Sequence, residues 1–147
     1  MVNHFIFCAV FAWLTAQLFK LILTLIITKK LDFTRLTGSG GMPSAHTAFF
    51  TSLSVLILLI EGFNSAAFAI SACTTAMVMY DANGVRRAAG EQAKILNKMA
   101  NAWMENDNSL DFGKNLKELI GHSKTEVFVG FIYGIIVGVM YYLLIIY

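Results

Sequence analysis

The residues of this chain best equipped for chemistry fall in four short segments. Lys20 interrupts an apolar run about two turns before that run ends, and it shares a helical face with Gln17. An ionisable group at that depth of an apolar helix is costly, which points to a paired or functional role. The plain alternative is a side chain that snorkels to the membrane interface. Gly38-Ser39-Gly40-Gly41-Met42-Pro43-Ser44-Ala45-His46 places a glycine-rich approach directly before a helix start. A helix N-terminus presents free N–H groups and the positive end of its dipole, a setting that suits a phosphate, with His46 in the first turn beside it. An ordinary Ser-capped helix carrying an incidental His fits the same residues.

Asp81-Ala82-Asn83-Gly84-Val85-Arg86-Arg87 follows another apolar run. Paired arginines can grip phosphate oxygens in bidentate fashion, and they are equally common as topology anchors at a membrane surface. The fourth segment is Gly121-His122-Ser123-Lys124-Thr125-Glu126. At i and i+4, Glu126 can orient the His122 imidazole and favour its charged form. Ser123 and Glu126 also read as a Ser-x-x-Glu capping box, which would commit Glu126 to the backbone and leave His122 just outside the helix.

Four apolar runs must carry these groups. The first extends from about Phe5 to Ile27, long enough to cross about 30 Å of hydrocarbon at 1.5 Å per residue. No positive residue precedes it and no Ala-x-Ala-like site closes it, so a retained helix is expected rather than a signal peptide. The second begins at Pro43 with Ser44 as N-cap and reaches about Ile60; Glu61-Gly62-Phe63-Asn64 turns the chain into a third, Ser65 to Tyr80. Between Val85 and Trp103 apolar residues recur at helical spacing opposite Arg86, Glu91, Lys94 and Lys98, predicting an amphipathic helix on the membrane surface. Asn106 to Asp111 reads as a break, Leu116 to Ile120 as a short helix stopped by Gly121, and Glu126 to Tyr147 as the last span. Gly130, Gly134 and Gly138 give that span a face open to close approach, either within the bundle or as a homodimer seam.

Of the 147 residues, 57% are hydrophobic and 14% charged, and the mean hydropathy is +0.66. This predicts an all-α integral membrane bundle of about four transmembrane helices, with the amphipathic helix between the third and fourth, forming one domain over residues 1–147. No polar stretch is long enough for a separate soluble module. Cys8 and Cys73 lie in apolar runs without a metal-ligand or disulfide spacing. Every Lys and Arg except Lys20 falls in the first or third loop: Lys29, Lys30 and Arg35, then Arg86, Arg87, Lys94, Lys98, Lys114, Lys117 and Lys124. Four spans put both loops on one side, the positive-inside rule makes that side cytoplasmic, and both termini face outward.

The set of Lys20, Pro43-Ser44-Ala45-His46, an Arg pair and His122-x-x-x-Glu126, all at the predicted cytoplasmic ends of different spans, resembles the type-2 phosphatidic acid phosphatase superfamily, shared with vanadium haloperoxidases. Gly40 to Ala48, Tyr80 to Ala93 and Gly121 to Val127 look like its divergent branch in bacteria and plants, with the likeness running from about Gln17 to Gly138. The resemblance implies a lipid-phosphate phosphatase of the bacterial cell membrane, acting without metal or cofactor through a phosphohistidine. It makes His122 the nucleophile, Glu126 its orienting carboxylate and His46 the general acid. Lys20, Arg86 or Arg87, and the N–H groups near Ser44 and Ala45 would hold the phosphate, with Asp81 and Gln17 as accessories. The sequence departs from the pattern in four ways: Ile27-Thr28 stand where Arg-Pro is expected, Ala45 replaces Gly, Glu126 replaces Asp, and about 35 residues separate Arg87 from His122.

Two rivals are weighed against this expectation. Asp81-x-Asn-Gly-x-x-Arg87 is similar to part of the Asp-rich motif of metal-dependent phosphatidyl transferases, yet the further acidic residues such a site needs do not follow. A non-catalytic lipid-phosphate-binding or scaffold protein would keep the anion pocket without turnover. The expected partners are membrane lipids, with no nucleic acid.

Overall fold

The computed structural model describes residues 3–29, 41–106, 115–116 and 121–147, and every regular element among them is helical. They are α1 (His4–Thr28), α2 (Ala45–Glu61), α3 (Ala66–Asn83), α4 (Val85–Asn106) and α5 (Lys124–Tyr141), the last continued by a π-helical segment at Tyr142–Ile146. Lys30, Arg35, Gly38 to Gly40, Lys114 and Lys117 lie outside the described residues, as do most of the expected break after Asn106 and most of the expected short helix at 116–120.

Local chemistry explains the boundaries. Asn3 caps α1 by accepting from the N–H groups of Phe5 and Ile6, and Ser65 caps α3 by accepting from Phe68. Gly62 ends α2 with φ +85°, a conformation open to glycine, and its N–H returns to the Leu58 carbonyl at 3.0 Å. Gly84 alone separates α3 from α4, its N–H donating to Tyr80 O at 2.8 Å.

Helix α2 is the hub, packed against α1, α3 and α5. Its interior face is small and polar: Ser44, Ala45, Thr47, Ala48, Thr51 and Ser52 are buried, opposite Cys8, Ala9, Ala12 and Ala16 of α1. The glycine stripe of α5 closes on the same helix. A Cβ at Gly130 would meet Ser44 O at 2.6 Å, one at Gly134 would meet Ala48 O at 2.8 Å, and one at Gly138 would meet Ser52 O at 3.0 Å. The close approach this stripe permits is therefore made within one chain, to α2. The Ser54 and Thr75 hydroxyls share a 2.8 Å hydrogen bond between α2 and α3.

Large apolar side chains point the other way, with Phe7, Phe11, Leu18, Ile26 and Phe128 exposed. Small residues inside and large apolar residues outside is the arrangement helices adopt where the medium itself is apolar. Two segments, His4–Thr28 and Lys124–Ile146, are long and apolar enough to cross a membrane, and only 22% of the most apolar stretch of each is buried within the chain. Helix α2 is a shorter apolar helix.

Helix α4 has the expected amphipathic pattern, and among the described residues its apolar face is left uncovered. Ala93 and Asn97 are buried, whereas Val85, Leu96, Met99 and Trp103 of the apolar face are exposed. Asn97 pairs with the backbone of Leu116 in both directions at 2.9 Å, so a polar contact, invisible to a hydrophobic pattern, sets which side faces the chain.

Candidate functional site

At one end of the bundle the starts of α2 and α5 and the α3–α4 junction meet. Ser44 caps α2, accepting from the Thr47 N–H at 3.5 Å and the Thr47 hydroxyl at 2.9 Å. Its own N–H donates to the Glu126 carbonyl at 3.1 Å, which ties the start of α2 to the first turn of α5. Ser44 and Ala45 are buried, while the His46 side chain faces outward into a cleft. The N–H groups of the first turn of α2 have no acceptor within their own helix, so positive character remains beside His46.

His122 is set by two backbone contacts. Gly121 has φ +94° and lies so close to the α4 chain that a Cβ there would fall 2.5 Å from Arg87 N. The His122 N–H then donates to Ala82 O at 3.0 Å. The side chain is 5% exposed, and neither ring nitrogen has a hydrogen-bond partner. Buried polar atoms are normally bonded, so a buried imidazole with both nitrogens open marks a place where a ligand is expected.

Of the two readings open for Glu126, the structure adopts the capping box: Glu126 Oε2 accepts from the Ser123 N–H at 2.9 Å, and Ser123 Oγ accepts from the Glu126 N–H at 3.3 Å. The carboxylate therefore reaches His122 only as a nearby charge. Burial pushes the His122 pKa below its ordinary 6.5; Glu126 opposes the shift, and the positive charges of Lys20, His46 and Arg86 reinforce it. The imidazole is accordingly expected to titrate below pH 6.5, as a histidine NMR titration would show. The sign for stability follows: the folded state binds this proton less readily than the unfolded state, so the His122 contribution is complete above the ordinary value and is lost as pH falls from there through the lowered folded value.

Arg86 Nε donates to Asp81 Oδ2 across the Gly84 junction, at 2.5 Å, with both side chains partly exposed. Arg87 is exposed, and its backbone, rather than its side chain, meets Gly121. Lys20 is 3% exposed and its aliphatic stem lies against Gly41, where a Cβ would be 3.2 Å from Lys20 Cδ. Gln17, one turn earlier, is also buried.

A cleft of about 380 Å³ is lined by His46, Asp81, Arg86 and His122 together with Phe50, Met77 and Val78. The remaining candidates surround it differently. Ser44, Ala45 and Glu126 build its support, Lys20 acts on it through its charge, and Gln17 and Arg87 are not among its lining residues. The apolar wall was missed from sequence, although Phe50 follows His46 by one helical turn, and Met77 and Val78 precede Asp81 by one. Among the described residues, His, Cys, Asp and Glu form no group of three able to hold a metal ion. A larger cavity of about 530 Å³, between α1 and α5 and including Phe11, Tyr133 and Met140, is almost wholly apolar.

Comparison with known proteins gives the chain a family. Residues 1–137 match the model of the divergent PAP2 family. The chain is 42% identical over 130 residues, covering 82% of each chain, to a Bacillus subtilis (strain 168) protein described as uncharacterized membrane protein YuiD. No solved structure matches.

Proposed function

The chain belongs to the divergent PAP2 family, and from that premise we propose that it is a membrane lipid-phosphate phosphatase working through a phosphohistidine. The observation that carries this reading is the buried, unpartnered His122 imidazole lining one cleft with Arg86 and His46. In the proposed reaction a ring nitrogen of neutral His122 attacks phosphorus, forming the P–N bond as the P–O bond to the leaving group breaks. His46 gives that alkoxide its proton. Water then attacks the phosphohistidine with His46 as base, releasing inorganic phosphate and restoring His122. Arg86, Lys20 and the N–H groups at the start of α2 offset the charge on the equatorial oxygens. The lowered His122 pKa supports this role, because burial favours the neutral, nucleophilic form of the imidazole.

The cleft, mainly apolar but carrying Arg86, Asp81 and two imidazoles, supports an amphiphilic substrate, its phosphate toward Arg86 and its apolar part along Phe50, Met77 and Val78. The outward apolar surfaces of α1 and α5 support a bilayer location. In this reading α1, α2, α3 and α5 span the membrane, both termini face outward, and α4 and the cleft lie at the cytoplasmic surface. In a Cys73→Ala background, Lys98→Cys on α4 is expected to react with a membrane-impermeant maleimide only from the cytoplasmic side, and Phe63→Cys in the α2–α3 turn only from outside. Swapped labelling overturns the sidedness; labelling of both from one face overturns the span count.

One observation favours a second reading. Because Glu126 caps α5, no carboxylate is hydrogen-bonded to His122 to orient it, as suits a protein that binds lipid phosphates without hydrolysing them. Inorganic phosphate release by purified protein, measured with EDTA present on phosphatidate, phosphatidylglycerophosphate and a polyprenyl phosphate, separates the two. Release supports the phosphatase. Phosphate binding without release from any lipid supports the binding protein.

A further inference from the structure

We propose that Asp81 is a resident competitor for the phosphate, holding Arg86 and yielding it when an anion enters the cleft. The inference rests on the reading of this cleft as a phosphate site. Asp81 stands in the last turn of α3 and Arg86 in the first turn of α4, so the single-residue break at Gly84 lets the carboxylate meet the guanidinium.

A carboxylate that orients an arginine for a ligand sits behind the guanidinium, shielded from solvent and out of the ligand's space. Asp81 does neither. Its side chain is 37% exposed, and it lines the cleft together with Arg86, His46 and His122. A carboxylate and a phosphate present similar oxygens to a guanidinium, so the two compete for one donor set. With the Arg86 side chain 52% exposed, the ion pair is weak, and exchanging one anion for the other is an easy step. The surroundings favour the phosphate over the carboxylate, because the unpartnered His122 ring can give an entering phosphate oxygen its N–H, a bond the Asp81 carboxylate does not make. An anion too weakly charged to displace Asp81 would leave Arg86 closed, so the pair would select for doubly charged phosphomonoesters over singly charged diesters.

The test is isothermal titration of the detergent-solubilised full chain with inorganic phosphate, for the unaltered protein, Asp81→Asn, Asp81→Ala, Arg86→Ala and the Asp81→Asn/Arg86→Ala pair. Removing the competitor is expected to tighten phosphate binding about fivefold in both Asp81 variants. In the Arg86→Ala background the gain from Asp81→Asn should largely disappear, because the competition runs through that guanidinium. Weaker or unchanged binding in Asp81→Asn would make Asp81 an orienting or incidental partner and overturn the proposal. A gain that persists in full without Arg86 would reduce it to a general charge effect and overturn it equally. No phosphate binding by any of these proteins, with each shown to be folded by thermal unfolding, would defeat the phosphate-site reading itself and the inference with it. Binding with the expected cycle but no lipid hydrolysis would leave the inference standing and remove only the phosphatase.

Discussion

Replacing His122 with alanine is expected to lower phosphate release at least about a thousandfold, because the phosphohistidine cannot form without the ring nitrogen. What makes this variant informative is that the fold should survive it. The imidazole makes no hydrogen bond that alanine would break, and the backbone N–H of residue 122 keeps its bond to Ala82 O. The variant also removes a buried polar group without partners, which offsets part of the loss of packing. Thermal unfolding in detergent should therefore shift little while turnover collapses. Equal turnover in His122→Ala would remove His122 from the nucleophile role. A turnover loss that merely tracks a large fall in melting temperature would make the residue structural.

Among the described glycines, Gly121→Ala is expected to have the largest structural effect of a single added methyl. Its φ of +94° is strained for any side chain, and the new Cβ would lie 2.5 Å from Arg87 N and 2.8 Å from the Arg86 carbonyl carbon. Those are backbone atoms, so no rotamer change relieves the clash; one of the two segments must move. The strain and overpacking together should lower stability by about 3 kcal/mol. Phosphate binding should fall as well, because the movement carries His122 away from the segment that bears Arg86. Gly62→Ala is the control. It shares a positive φ of +85° but meets nothing within 4 Å, so it should cost about 1 kcal/mol and leave phosphate binding intact. Equal effects of the two substitutions on phosphate binding would show that the Gly121–Arg87 contact does not position the site.

The motifs themselves were legible because they depend on neighbours in sequence. Ser44 as a cap, Gly62 at the end of α2 and the Ser123–Glu126 box each need only the preference of one residue type for one local geometry. The apolar runs that became α1, α2, α3 and α5 were readable for the same reason, since length and hydropathy are additive along a segment. Helix α4 was readable as an amphipathic helix, yet the polar contact that ties it to the chain was not. The apolar face through Val85, Leu96 and Trp103 is left exposed, as an amphipathic helix on a membrane surface would leave it, while the Asn97–Leu116 pairing lies on the side turned to the chain.

What sequence alone determined, then, is the helical character of the chain, the positions of its caps and the types of group available at one end of the bundle. Which of those groups face one another was decided by long-range packing, through contacts between residues far apart in the chain. Arg86 rather than Arg87 lines the cleft, in the segment where Gly121 packs against the α4 backbone. Both assignments of Glu126 satisfied its spacing, and the folded chain used the carboxylate for the cap while the adjacent Glu126 carbonyl received Ser44. The face that Gly130, Gly134 and Gly138 share could be foreseen, but its partner could not: a missing side chain only permits close approach, and the helix that makes it is chosen by the packing of the whole bundle.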